Sequence, residues 1–331
     1  MGKGNKICQN WTASRCPPVK LDLPPKALSM DSEVILFTSP KAGSGAGRQE
    51  IPRLLECLTQ AGIAHQCVSD PQVLRDRIQR CAQRDVSRPT VIAAGGDGTL
   101  SLVAENSDDQ TPLLPMPMGT ENLLARYLGQ SNRAEDVMQT LQHGQTRRFD
   151  AGRANGKLFL IMATVGFDAE VVRRLHLRRK GHIQKLSYLK PILQTVGRYR
   201  FPKLQVVRFD HNDVEIDTQQ VGWAMVFNLP CYGGGLRIAP HAVGDDGQLD
   251  LMTFAHAGIA SSLGYVAAIA AGVHRRWTTV EQHLVDKVTI TASGRVAYEL
   301  DGDYAGRLPL TIETVPQRIL LLSKTTGDSA D

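Results

Sequence analysis

The sequence predicts an α/β domain of the doubly wound kind over residues 33–150, followed by a β-rich domain over 151–313. Three observations predict this. In the first half, short apolar runs alternate with amphipathic helical stretches, which implies parallel strands joined by right-handed crossovers. In the second half, strand-like segments separated by turn residues dominate. Glycine-rich turns stand where the first-half strands run into helices, the place where open parallel sheets bind ligands.

The elements follow in chain order. Val34–Phe37 is a short apolar run followed by the glycine-rich S-P-K-A-G-S-G-A-G-R (39–48). Ile51, Leu54, Leu55 and Leu58 then recur at helical spacing. A strand near His65–Val68 precedes a charged helix over about 71–84, and further strands are expected at Thr90–Ala94 and Leu113–Pro117. Beyond residue 150, strands are expected at 157–164, 203–209, 222–228, 285–291, 296–300 and 319–322, with one helix over about 257–273.

Composition narrows the class. A chain of 331 residues can form two cores, and a net charge of +5 suits phosphorylated ligands or anionic surfaces better than nucleic acid. Six cysteines without C-x-x-C pairs argue against zinc and disulfide frameworks and fit the reduced thiols of a cytoplasmic protein. Residues 1–32 carry four prolines and no apolar signal core, and read as a mobile leader. The least polar long segment, 249–273, contains Asp250 and His256 and reads as a strand and a core helix, not a membrane span.

Three strand-to-helix junctions point at one anion. Gly95, Gly96 and Gly98 in G-G-D-G-T let the backbone turn sharply and approach a ligand, after which Thr99 is expected to cap a helix through Leu100, Leu102 and Val103. Gly119 and Thr120 repeat the arrangement ahead of Leu123, Leu124, Tyr127 and Leu128, and the 39–47 loop offers a third set of amides. Exposed N–H groups and positive helix ends at neighbouring strand ends make a phosphate site. Asp97 adds chemistry, because a carboxylate in a phosphate-binding turn is unfavourable unless it holds Mg²⁺ or accepts a substrate proton. Two rival motifs are missing: G-S-G-A-G-R contains no Walker A sequence, and Gly43, Gly45 and Gly47 lack the spacing of a dinucleotide fingerprint.

G-G-D-G-T (95–99) followed by P-M-G-T-E-N-L-L-A-R (117–126) resembles the diacylglycerol kinase catalytic domain, the lipid-kinase superfamily of soluble bacterial diacylglycerol kinases, sphingosine kinases and ceramide kinases. The family's second motif is P-L-G-T-x-N-D-F-A-R, and here Leu123-Leu124 replaces Asp-Phe. S-P-K-A-G-S-G (39–45) is similar to the family's N-P-x-S-G, with Ser39 in place of Asn. V-G-F-D-A-E-V (165–171), the stretch from Phe227 to Asp250, and Y-E-L-D-G-D (298–303) continue the likeness, so it runs in order from Val34 onward. NAD kinases share G-G-D-G-T, but the chain has no counterpart of their N-x-G-x-L-G-F or T-P-x-G-S-T-A-Y segments.

The resemblance implies an NAD-kinase-like nucleotide-binding domain, a β-sandwich-type second domain carrying the acceptor, and a return of 314–325 to the first domain. It implies ATP in the cleft, with Gly95, Gly96, Gly98 and Thr99 at the phosphates, Gly119, Thr120 and Asn122 in support, and Gly43, Ser44 and Gly45 facing the nucleotide. Asp97 and Asp303 are the implied catalytic carboxylates, with Asp97 also beside Mg²⁺ and Asp246 and Asp250 where bacterial members hold a structural Mg²⁺. Asp303 stands where the family has glutamate, and its carboxylate reaches about 1.5 Å less far. The acceptor implied is a lipid hydroxyl, most simply that of diacylglycerol; sphingoid bases and other lipids fit the same description, and a binding protein without turnover is the alternative from a different class. The segment 173–185, with six Arg and Lys side chains among Leu175, Leu177 and Ile183, reads either as a solvated face or as a contact with an anionic bilayer.

Overall fold

The computed structural model describes residues 33–38, 49–84, 86–170, 199 and 201–324. Strands β1 (Val34–Thr38), β2 (His65–Val68), β3 (Thr90–Gly95) and β4 (Pro112–Pro117) pair in parallel in the order β2-β1-β3-β4. The inner three are apolar runs buried along nearly their whole length, as strands covered on both faces must be. Helices α1 (Glu50–Gln60), α2 (Pro71–Gln83) and α3 (Asp97–Glu105) connect them. Helix α1 buries Leu54 and Leu58 and α2 buries Leu74 and Ile78, each pair one turn apart on one face. The start of α2 is fixed by Asp70, whose carboxylate accepts the Gln72 N–H at 2.8 Å, and by Pro71 in the first turn. Two further helices follow, the short α4 (Leu123–Tyr127) and α5 (Ala134–His143).

The second half is antiparallel. Its strands are β5 (Gln145–Ala154), β6 (Lys157–Phe159), β7 (Met162–Val165), β8 (Leu204–Phe209), β9 (Glu215–Val221), β10 (Trp223–Phe227), β11 (Leu249–Phe254), β12 (Val280–Val285), β13 (Lys287–Ala292), β14 (Ala297–Leu300), β15 (Asp303–Arg307) and β16 (Leu310–Ser323). Helix α6 (Ile259–Ala270) follows β11. The single strand expected over 157–164 is two, because the chain leaves one sheet at Phe159 and enters the other at Met162.

The larger sheet runs β2-β1-β3-β4-β16-β13-β8-β9, with β5 and β6 attached through β16. Its hinge is β16, which pairs in parallel with β4 at Leu320 and Leu321 and antiparallel with β5 and β13. The smaller sheet runs β12-β11-β10-β7-β14-β15. Alternation along β10 shows how it is used: Ala224 and Val226 face Val206, Val288, Ile290 and Ile312 of the larger sheet, while Trp223, Met225 and Phe227 face the other way. On that second face Trp223 stacks on Phe167 at 5.8 Å, and Tyr265 of α6 closes over Phe254 at 5.1 Å.

Candidate active site

The two glycine loops interlock. Strand β3 ends at Gly95, whose carbonyl accepts the Met118 N–H at 2.8 Å. A Cβ on Gly119 would lie 2.8 Å from Gly96 Cα, and one on Gly95 would lie 2.2 Å from Thr99 Oγ1, so the close approach requires glycine. Asn122 takes a left-handed conformation at φ 50° and locks the second loop: its Oδ1 accepts the Gly119 N–H at 2.8 Å and its Nδ2 donates to the Gly119 carbonyl at 2.9 Å. Among the described residues, the amides of Gly98 and Thr120 find no acceptor, and these loops therefore present unpaired donors at a positive helix end.

Thr99 does not cap α3. The helix begins two residues earlier, with Gly96 as its N-cap and Asp97 in its first turn. Asp97 instead crosses to the other loop, where its carboxylate accepts the N–H groups of Leu123 at 2.9 Å and Leu124 at 3.2 Å and so caps α4. Burial pushes this carboxyl up to about 6 against the lowering effect of the two N–H groups, with Asp301 raising it further and Arg126 opposing. The family's Asp-Phe pair is Leu123-Leu124 here, and it is the backbone of these leucines that Asp97 holds.

The second half contributes the D-G-D turn between β14 and β15. Asp301, at φ 49°, accepts from Ser101 Oγ of α3 at 2.7 Å and from the N–H groups of Leu160, Ile161 and Met162 at 2.8, 2.8 and 3.1 Å. It thus fastens α3 to the crossing between the two sheets. Asp303 is exposed, and a Cβ on Gly98 would lie 2.9 Å from its Oδ2. The shorter aspartate therefore still reaches the first turn of α3, beside Asp97.

Sequence reasoning gave no role to three carboxyls behind this turn and its neighbourhood. Glu299 is fully buried on β14, opposite Thr164 in register, whose hydroxyl lowers the Glu299 carboxyl; Oε2 accepts the Gly302 N–H at 2.6 Å. Asp168 accepts from Thr164 Oγ1 at 2.9 Å and from the Tyr232 hydroxyl. Burial first, and then the proximity of Asp168, raise the Glu299 carboxyl well above its usual range. Its sequence signal was a lone acid inside the strand A-Y-E-L. Asp150 is the third: it accepts the Gly247 and Gln317 N–H groups, each at 2.7 Å, and Asn228 Nδ2 donates to the Asp150 and Leu160 carbonyls.

A neutral Glu299 has a consequence for stability. Its folded pKa lies above its unfolded value, so its contribution is fully present below the ordinary glutamate range and is lost as pH rises through the folded value. Glu299→Gln keeps the acceptor for Gly302 and cannot ionise. Thermal melts over about pH 5 to 9 should show wild type losing stability relative to the variant as pH rises; parallel curves would mean that Glu299 is ionised in the fold.

The remaining expected site residues divide in two. Asp246, exposed, accepts the Gln248 N–H of its own turn at 3.1 Å, and Asp250, buried on β11, accepts from Gln282 Nε2. Burial raises both carboxyls, and Asp250 is raised further by Asp246. Gly43, Ser44 and Gly45, residues 1–32 and the basic segment 173–185 lie outside the described residues. Among the described residues no three His, Cys, Asp or Glu side chains assemble a metal cage. The carboxylates of Asp97 and Asp303 at the start of α3 are hard oxygen donors of the kind that meet a phosphate-bound Mg²⁺.

A parallel nucleotide-type sheet with paired glycine loops, clasped by an antiparallel sandwich whose acidic turn reaches those loops, defines a two-domain kinase of the NAD-kinase-like fold. Residues 33–154 match the family described as diacylglycerol kinase catalytic domain, and 162–323 match the YegS C-terminal NAD kinase beta sandwich-like domain. Residues 33–154 are thus a diacylglycerol kinase catalytic domain, and the chain is a lipid kinase. Relatives include the diacylglycerol kinase of Bacillus subtilis, 26% identical over 289 residues, covering 83% of this chain and 90% of that one. The diacylglycerol kinase of Staphylococcus aureus is 24% identical over 292 residues, covering 86% and 90%. In fold, the chain is similar to a diacylglycerol kinase from Bacillus anthracis, with a TM-score of 0.59 at 16% identity over 89% of this chain and 97% of that one. It is also similar to a yeast NADH kinase, with a TM-score of 0.50 at 9% identity over 92% and 89%. No helix among the described residues is long and apolar enough to cross a membrane.

Proposed function

We propose that the chain transfers the γ-phosphoryl group of ATP to the hydroxyl of diacylglycerol, giving phosphatidate and ADP, with Mg²⁺. The observation that carries this reading is the convergence of Asp97, Gly98 and Asp303 at one helix start, contributed by both halves of the chain. Phosphoryl transfer asks for in-line placement, neutralised phosphate charge and a base at the hydroxyl. In this reading the amides of Gly96, Gly98 and Thr120 surround the phosphates, with Thr99, whose own N–H donates to the Gly96 carbonyl at 2.9 Å, holding the turn beside them. Gly95, Gly119 and Asn122 hold the loops at the required spacing, and Gly43, Ser44 and Gly45 flank the nucleotide. Asp97 would hold Mg²⁺, which when bound neutralises phosphate charge. Asp246 and Asp250 would hold a second, structural Mg²⁺, because raised, crowded carboxyls gain most from a cation.

Asp303 takes the acceptor proton, because it is exposed and its Oδ2 lies at the first turn of α3, beside Asp97. The hydroxyl oxygen forms the new bond to phosphorus, the bond to the bridging oxygen of the diphosphate breaks, and ADP leaves with that electron pair. With labelled ATP and a panel of diacylglycerol, sphingosine, ceramide and NAD, the expected product is phosphatidate. Asp303→Ala should lower kcat about 100-fold or more with little change in KM for ATP, and Asp303→Glu should retain activity. Labelled sphingosine phosphate or NADP would reassign the acceptor, and nucleotide binding without any product would make the chain a regulator.

A further inference from the structure

Helix α6 turns the wrong face to water. Its outward positions are Ile259, Ala260, Leu263, Val266, Ala267 and Ala270, all exposed and all aliphatic. The three large ones are 46%, 52% and 46% exposed and recur at i, i+4 and i+7, a continuous stripe. The inner face, Tyr265, Ala268 and Ile269, is already spent on the sheet below, so the stripe is a second apolar face and not a misplaced core. A water-facing helix ordinarily carries charge there.

The surroundings of the stripe say what covers it. Trp277, 40% exposed, stands beyond the helix end, with Arg275 and Arg276 exposed before it. From Ala255 to Val280 the chain has no Asp or Glu. An aliphatic stripe, an indole at its margin and cations without a balancing carboxylate are the marks of an element that lies in the headgroup layer of an anionic bilayer. A contact between protein copies would be expected to set carboxylates against the two arginines, and the 255–280 segment offers none of its own. Position agrees with this. Trp223 lies under α6 at one end of β10, and Phe227, four residues along at about 3.3 Å each, adjoins the crossing held by Asp301. Helix α6 thus covers one end of a strand whose other end, about 13 Å along, adjoins that crossing.

We infer that the outer face of α6, with Arg275, Arg276 and Trp277, is the surface by which the kinase docks on anionic membrane. The inference rests on the lipid-kinase reading for its purpose, but it is tested without ATP or acceptor. Vesicles of equimolar phosphatidylglycerol and phosphatidylcholine are sedimented with wild type, with Leu263→Glu/Val266→Glu and with Arg275→Gln/Arg276→Gln. Wild type should bind, the aliphatic variant should bind about tenfold or more weakly, and the arginine variant should lose the preference over pure phosphatidylcholine. All three should melt alike, since the altered side chains are exposed. In a Trp11→Phe background, brominated acyl chains should quench fluorescence, and Trp277→Phe in the same background, which leaves only buried Trp223, should remove that quenching. Unchanged vesicle binding by the aliphatic variant, unquenched Trp277, or a wild-type dimer that the aliphatic variant dissociates would overturn the assignment. Vesicle binding without phosphatidate formation would overturn only the proposed reaction.

Discussion

Asp97→Asn is expected to abolish lipid phosphorylation, by about 100- to 10,000-fold in kcat, while leaving a folded protein. The carboxylate does two things at once. It accepts the Leu123 and Leu124 N–H groups, which sets α4 and with it the Gly119-Thr120 loop, and it places negative charge at the start of α3 where Mg²⁺ would sit. Asparagine keeps one acceptor oxygen but turns an amide N–H toward a backbone N–H, so the cap weakens by about 1 kcal/mol. The charge is lost altogether, and that loss dominates the rate. The pH dependence supplies a second signature. With the carboxyl near 6, wild-type kcat/KM should fall as pH drops through that value, and the variant should lack this limb. Stability runs the other way: a raised pKa means the contribution is intact below the unfolded value of about 4 and is lost as pH rises through about 6. Asp97→Asn should flatten that decline as well. A variant with near-normal kcat would remove Asp97 from the chemistry.

Asp301→Ala should be the most destabilising substitution in the site. It strands three backbone N–H groups, on Leu160, Ile161 and Met162, together with the Ser101 hydroxyl, at the seam between the sheets. Each buried donor left unpaired costs about 1–3 kcal/mol, and alanine tolerates the left-handed backbone at φ 49° less well than aspartate. The expected loss is about 4 kcal/mol or more, a large share of the stability of an ordinary domain. Because the same bonds fix Asp303 against Gly98, activity should fall with stability. Asp301→Asn retains one acceptor oxygen and should lie between. Chemical denaturation of the three proteins side by side checks the order, and an alanine variant within about 1 kcal/mol of wild type would contradict it.

The first-half strands were legible because their signals are local: an apolar run, a glycine turn, a helix at 3.6-residue spacing. The turn's glycine signal is local too, and at Gly119 a Cβ would meet Gly96 Cα at 2.8 Å. What could not be read was which groups meet across the chain. Thr99 looked like a cap because it precedes an apolar run, yet Asp97 leads the helix and spends its carboxylate on another one 26 residues away. Asp301 carried no sequence signal of its own, because its partners come from residues 101 and 160–162. Glu299 gave only the oddity of an acid in an apolar strand, and the outward stripe of α6 passed for core because composition carries no direction.

Phosphate binding by the two interlocked loops is the central proposal. Its most direct test is a crystal structure with Mg²⁺ and a non-hydrolysable ATP analogue. The β- and γ-phosphates should lie against the Gly96, Gly98 and Thr120 amides beside Thr99, with the cation at Asp97 and the terminal phosphate open toward Asp303. A nucleotide bound elsewhere on the chain, with those loops vacant, would contradict it.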